Sequence, residues 1–259
     1  MTVGRMVGMA NPPTPPVSAP RPFRVRSVVA HLATACVLGL GAALVPAPAM
    51  AAAGPTQASV TENLRKGDSG AQVTVLQERL SELGYWLDDI DGEYGLHTVH
   101  AVTALQKAAG IARDGVVGPD TRAALEAGTV PEATITEGDA VEIDLDTQLL
   151  MVISDGETVG ILHTSTGSGN PYEGSDGVNR IATTPTGTYE VFRHVDSWDP
   201  GPYGALYRPM YFNGGIAVHG YTSVPAEPAS KGCARVSLAA MDWLWENGHM
   251  DIHTTVLVR

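Results

Sequence analysis

The sequence predicts an α+β, multidomain chain: a small three-helix unit followed by a larger, mostly β, sandwich-like unit. Three observations carry this. Residues 60–127 show helical spacing and a repeated Asp-Gly turn, residues 128–138 are polar with no apolar period, and residues 139–259 show short apolar runs separated by turn residues.

Ahead of these units, Arg21, Arg24 and Arg26 precede an apolar run from Val28 to Val45 that ends in Pro46-Ala47-Pro48-Ala49-Met50-Ala51. A basic start, an apolar stretch and small residues at the end describe a secretory signal peptide over residues 1–51. Two alternatives are a retained membrane anchor and lipidation at Cys36. A spanning helix needs about 20 apolar residues, which this run barely reaches, and Ala33-Thr34-Ala35 is a poor lipidation context. The expectation is cleavage and a secreted, cell-wall or extracytoplasmic protein. Residues 1–51 hold four Arg and no Asp or Glu, so their removal takes the formal charge from −12 to −16. So acidic a protein is a poor partner for nucleic acid or anionic lipid. A polymer bearing its own amines and mixed charge suits it better.

In the helical region, Ser69-Gly70-Ala71-Gln72 has the form of a capping box, and Val73, Leu76, Leu80 and Leu83 follow at helical spacing before Gly84. Asp91-Gly92-Glu93-Tyr94-Gly95-Leu96-His97-Thr98 recurs as Asp114-Gly115-Val116-Val117-Gly118-Pro119-Asp120-Thr121. The glycines suit tight turns, and Thr98 and Thr121 are placed to cap the helices that follow. Together with Leu64-Arg65-Lys66-Gly67-Asp68-Ser69-Gly70, Leu76-Gln77 and Leu105-Gln106, these residues resemble the peptidoglycan-binding domain type 1 family, although Leu105 stands where that family usually has Phe. The resemblance implies a three-helix module that docks onto cell-wall glycan, in a domain over residues 60–127. The polar residues 128–138 read as an interdomain linker.

Beyond it, Val141-Glu142-Ile143-Asp144-Leu145 alternates apolar with acidic, as a half-exposed strand does. Leu149 to Ile153 is a buried-type run, and Ser154-Asp155-Gly156-Glu157 turns into Thr158 to Leu162. Thr184-Pro185-Thr186-Gly187 is a turn leading into Thr188 to Phe192, and Ile216-Ala217-Val218 is a strand ending on His219. Leu238 to Asn247 is the one clear helix, with Ser237 as N-cap and Gly248 as terminator, before a last strand Thr254 to Val258. Trp198 to Tyr211 is either a lid or a packed loop, and Gly167 to Gly177 a flexible border of a cleft rather than a phosphate loop. His249 and His253 follow the helix-ending glycine without companion ligands and read as surface residues, so no metal is expected.

After export the chain keeps one cysteine, Cys233, in Ser230-Lys231-Gly232-Cys233-Ala234-Arg235. An unpaired thiol in an oxidising compartment is a liability unless chemistry requires it. A neighbour that stabilises the thiolate makes it a nucleophile, and His219 is the natural acid and base. Backbone amides near Gly232 and Cys233 are candidates for an oxyanion site. Arg235 suits either a substrate carboxylate or a structural salt bridge. Lys231 reads as solvated.

His219-Gly220 followed by Ser230 to Arg235, with Thr184 to Tyr189 upstream, resembles the L,D-transpeptidase catalytic domain family of YkuD type, over residues 139–259. This implies that Cys233 attacks the carbonyl of the third residue of a peptidoglycan stem tetrapeptide, releases D-Ala, and is resolved from its thioester by a neighbouring stem's amine to give a 3→3 cross-link. It also implies that the Ser230 to Cys233 backbone forms the oxyanion site, with Gly220 in the same oxyanion and substrate-binding group; no cofactor is implied, and Cys233 becomes the expected target of carbapenem-type β-lactams. The His-to-Cys interval is shorter than in many members, and Ala234 and Val236 are smaller than usual, which bears on pocket shape. An L,D-carboxypeptidase would let water resolve the same thioester, and a non-catalytic wall-binding scaffold would have no need of Cys233 and His219. A papain-like endopeptidase is disfavoured because His219 precedes Cys233 in the chain.

Overall fold

The computed structural model describes residues 59–259; the signal-peptide reading of residues 1–51 and Cys36 lie outside the described residues. Three helices come first, α1 (Ala71–Glu82), α2 (Leu96–Ala109) and α3 (Pro119–Ala127). Their starts differ from expectation. The N-caps are Gly70, Gly95 and Gly118, none with a side-chain cap bond. Gln72 instead accepts from the Thr61 amide at 2.8 Å. Thr98 and Thr121 sit inside their helices, where each hydroxyl accepts from a buried glutamine, Gln77 or Gln106, at 3.1 Å.

Those glutamines explain the repeat. Gln77 Nε2 donates to Asp91 Oδ1 at 2.8 Å and to the Glu93 carbonyl at 3.1 Å, while its Oε1 accepts from the Gly92 amide at 2.8 Å. Gln106 makes the same set with Asp114, Val116 and Gly115 at 2.8, 3.0 and 2.8 Å. A helix side chain thus holds the carboxylate, the glycine amide and a carbonyl of the following Asp-Gly turn, giving the Gly amide a partner in a buried setting.

The rest is a sandwich of two sheets. The first has the order β3 (Glu157–His163), β2 (Leu149–Ser154), β1 (Ala140–Asp144), β12 (Thr255–Val258), β6 (Gly187–Glu190), with β1 and β12 parallel. The second runs β11 (Ala234–Val236), β10 (Ile216–Gly220), β9 (Gly204–Asn213), β7 (Arg193–His194), with β8 (Trp198–Gly201) also on β9. A separate hairpin joins β4 (Pro171–Glu173) to β5 (Asn179–Ile181). Helix α4 (Leu238–Glu246) is capped as expected, with Ser237 Oγ accepting from the Ala240 amide at 3.1 Å. Val141, Ile143, Leu150, Val152, Val218, Val236, Met241 and Leu244 close one core between the sheets and α4. Burying each such side chain contributes about 1.5–3 kcal/mol.

The first sheet is covered on its other face too, which is why β2 is apolar at successive positions. Leu149 and Ile161 pack into the core of the helical module, and Met151 and Ile153 receive Ala133 and Ile135 from the segment between module and sandwich. Backbone bonds reinforce this, from Trp86 N to Ile161 O at 3.0 Å and from Ile161 N to Gly84 O at 2.8 Å. Residues 128–138 carry no helix or strand but are packed in place rather than loose. The half-exposed reading of β1 is likewise corrected, because Glu142 is 0% exposed. Its carboxylate accepts from the Ile135 amide and pairs with Arg259 Nε at 3.1 Å, and Arg259 Nη1 also holds Asp144 at 2.8 Å.

Candidate active site

Strands β10 and β11 run parallel, with Val218 opposite Ala234 and His219 opposite Arg235. Alternate residues of a strand share a face, so His219 and Arg235 stand side by side and Cys233, two positions before Arg235, begins the same row. Sheet register therefore sets His219 beside Arg235, whose charge acts on both His219 and Cys233.

His219 is 2% exposed. Its Nδ1 lies 2.9 Å from the Gly220 carbonyl. A carbonyl can only accept, so Nδ1 carries the proton and Nε2 is left with its lone pair. Burial, aided by the Arg235 charge and opposed by the Gly220 bond, pulls the imidazolium down to about 4. Cys233 is half-buried, and its sulfur lies 3.7 Å from the Gly215 carbonyl. Burial pushes the thiol up, against smaller thiolate-favouring effects of the Ala217 amide and Arg235. Burial thus works against charge on both the thiol and the imidazole.

Arg235 forms no ion pair among the described residues. Its guanidinium lies 4.4 Å over the Tyr221 ring, and its buried Nε has no hydrogen-bond partner. The structural salt-bridge reading thus finds no partner, and a cation is left facing the row.

The turn before Cys233 is braced from inside. Gly232 has φ +141°, and a Cβ there would sit 3.0 Å from the Thr183 carbonyl, so glycine is required. Ser230 Oγ donates to the Cys233 carbonyl at 2.6 Å and accepts from the Gly232 amide at 3.0 Å. The Gly232 amide expected at an oxyanion site is thus already engaged, and Ser230 shapes the turn. Gly220 is also a packing position, since a Cβ would lie 2.7 Å from the Tyr207 ring.

The sequence reading gave Thr184 no role of its own, placing it in a turn and in the family-like segment Thr184 to Tyr189. Its Oγ1 donates to the Gly232 carbonyl at 2.7 Å and accepts from the Gly167 amide at 2.9 Å, tying two distant segments to the cysteine turn. No periodicity signals such a contact; the Thr-Pro-Thr-Gly motif was the available hint. Gly167 is packed, not flexible, because a Cβ there would meet the Ala182 carbonyl at 2.5 Å. Lys231, expected to be solvated, points its ammonium at Tyr203 and Tyr172, 3.9 and 5.3 Å from their ring centroids. Tyr203 is the tip of the β8–β9 hairpin and Tyr172 lies on β4, so two hairpins meet above the residue preceding Gly232. His249 and His253 have separate neighbours, Trp243 at 4.4 Å and Glu190 at 3.5 Å.

Both parts of the chain resemble known proteins. Residues 69–125 match the model of a putative peptidoglycan binding domain, and residues 138–258 that of the L,D-transpeptidase catalytic domain. The crystal structure of an L,D-transpeptidase from Xylanimonas cellulosilytica is 48% identical, with a TM-score of 0.74, over 76% of this chain and 98% of that one. A probable N-acetylmuramoyl-L-alanine amidase from Bacillus licheniformis is 53% identical over 66 residues, 25% of this chain. The chain spans only 19% of that amidase's length. An uncharacterized protein from Kitasatospora aureofaciens is 38% identical over 105 residues, covering 38% of this chain and 89% of that protein.

Proposed function

The chain belongs to the L,D-transpeptidase family, and on that premise we propose that it joins peptidoglycan stem peptides by 3→3 cross-links through a thioester on Cys233, outside the cytoplasm. The observation that carries this is the shared row of a half-buried thiol, a histidine whose Nε2 lone pair is freed by the Nδ1–Gly220 bond, and an arginine without a carboxylate partner.

In the reaction, Cys233 Sγ bonds to the carbonyl carbon of the third stem residue as its proton passes to His219 Nε2. Proton transfer coupled to attack suits a pair that is neutral at rest, since neither buried charge must form in the free enzyme. The oxyanion is assigned to the Cys233 amide, with the Gly232 amide held in the turn by Ser230. Collapse breaks the C–N bond, His219 returns the proton to the departing D-Ala amine, and a thioester remains. The third-residue amine of a neighbouring stem then attacks, gives its proton to His219 and restores the thiol. Arg235 is assigned to hold a substrate carboxylate. The helical module is assigned to wall polymer, held at a fixed position beside the sandwich.

The test is intact-protein mass spectrometry after incubation with a tetrapeptide muropeptide, beside Cys233→Ala. An adduct equal to the muropeptide minus D-Ala, present only with Cys233, is expected, and it should discharge to a cross-linked dimer when a second stem is added. Discharge to free tripeptide alone would assign a carboxypeptidase. No adduct and no D-Ala release from folded protein would leave a wall-binding scaffold.

A further inference from the structure

Lys107, in the last turn of α2, is 1% exposed although it belongs to the helical module. Its ammonium leaves that module and enters the sandwich. Nζ donates to the Gln148 carbonyl at 2.9 Å, to the Thr164 carbonyl at 2.8 Å and contacts His163 Nδ1 at 2.8 Å. His163 Nε2 in turn lies 2.8 Å from the Val224 carbonyl. That carbonyl requires a proton on Nε2, so Nδ1 is a lone pair and accepts from Lys107. Three acceptors match the three protons of an ammonium, whereas a neutral amine has only two. Burial, aided by the Arg113 charge and opposed by Glu227, pulls the Lys107 ammonium down to about 6, while the three acceptors and the C-terminal end of α2 favour the charged form.

Val224 belongs to the loop 221–233, which joins His219 to Cys233. This loop hangs on the segment that Lys107 holds. Ser165 Oγ donates to the Glu227 carbonyl at 2.8 Å, and the Ala229 and Ser230 amides donate to the Thr166 carbonyl at 3.0 and 2.8 Å. Arg235 is bound there as well, through reciprocal bonds between its backbone and that of Ser165 at 3.0 and 3.2 Å. At the surface, Arg113 of the module reaches Glu227 at 3.6 Å.

We propose that Lys107 is a positioning residue for the Cys233 centre: through His163 and the 164–166 backbone it fixes the loop between His219 and Cys233, so the helical module is a working part of the active site as well as an attachment device. The proposal rests on the reading of Cys233 as nucleophile. Lys107→Met keeps the stem and removes all three donors, stranding two carbonyls and an imidazole nitrogen.

The experiment compares, in the chain from residue 52 onward, wild type, Lys107→Met, Lys107→Arg and Trp86→Leu. The last is chosen to loosen the same module–sandwich boundary at the Trp86–Trp243 contact, centroids 6.3 Å apart, away from the loop. Tm, kcat and KM for the tetrapeptide, and the pH profile of Cys233 alkylation by iodoacetamide are measured well below each Tm. Lys107→Met is expected to lower kcat by about 10- to 100-fold with KM within about threefold, to shift the alkylation profile, and to be partly rescued by Lys107→Arg. Trp86→Leu is expected to lower Tm while keeping kcat and the profile. A kcat for Lys107→Met within twofold of wild type, or a loss no greater than that of Trp86→Leu, overturns the proposal. Should Lys107→Met fail to fold, the half-buried Arg113→Glu decides: a threefold or larger fall in kcat at unchanged Tm supports it, and unchanged kcat overturns it. If wild type forms no acyl-enzyme, the functional reading fails by itself, and the alkylation profiles still decide whether Lys107 sets the thiol's surroundings.

Discussion

The Asp-Gly turns of the helical module and the Gly-Cys turn of the sandwich are built with the same device and left in opposite states. In each, a polar side chain grips a glycine turn: Gln77 and Gln106 in the module, Ser230 and Thr184 at the cysteine. In the module each glutamine pairs the carboxylate, the glycine amide and a carbonyl of its turn, and the result is structural. At the cysteine the scaffold is equally well bonded, but Arg235 Nε has no partner, the His219 lone pair is kept free and the sulfur has only a weak contact. Unmet valence on a fully braced frame is costly, and here it marks where substrate is read to bind.

The sharpest way to break this contrast is Cys233→Ala. Turnover is expected to fall by at least about 10⁴-fold, with Tm unchanged within a degree or two, as measured by D-Ala release and thermal melting. Residual turnover near wild type would remove the sulfur from the chemistry.

Acidification comes next. The folded His219 is held at about 4 against an ordinary value of 6.5, so between these values the unfolded chain binds more protons than the folded one. Its contribution to stability is full above 6.5 and is lost as pH falls toward 4, amounting to about 3 kcal/mol. The acid limb of kcat/KM should lie nearer 4 than 6.5, and urea titrations across this window should show stability declining with it. A limb at 6.5 would mean that the imidazole is not held neutral.

Gln106→Leu should cost about 2–3 kcal/mol by stranding the Gly115 amide and its neighbours, lowering Tm while the kcat of the folded fraction stays within twofold. A proportionate loss of kcat would show that the module's turns also serve the chemistry. The smallest effect is expected of Thr184→Val, about 1–2 kcal/mol of stability, with kcat down about tenfold because the cysteine turn loses its outer brace. Unchanged kcat would return Thr184 to a purely structural place.

Much of the molecule was legible one residue at a time. The three helices, the Ser237 cap, the Thr184 turn and the His219 and Cys233 motifs are local patterns, and local hydrogen bonding or a reactive side chain is all they require. The helix starts were misread, because Thr98 and Thr121 resemble caps in sequence yet turn inward to glutamines 21 and 15 residues away. The acidic residues of β1 were misread for a similar reason. Alternation says which residues share a face, but whether that face meets water depends on what covers it, here Ile135 and Arg259.

The sequence by itself determined the order of a helical and a β unit and pointed to Cys233 and His219 as the candidate pair, since periodicity, turn chemistry and side-chain type are properties of short segments. Only the tertiary structure decided that burial works against charge on both thiol and imidazole, that Gly232 and Ser230 support the turn, and that Lys107 of the first unit reaches, through His163, the loop of the second. Desolvation, register and buried hydrogen bonds are set by residues far apart in the chain, and no stretch of sequence contains them.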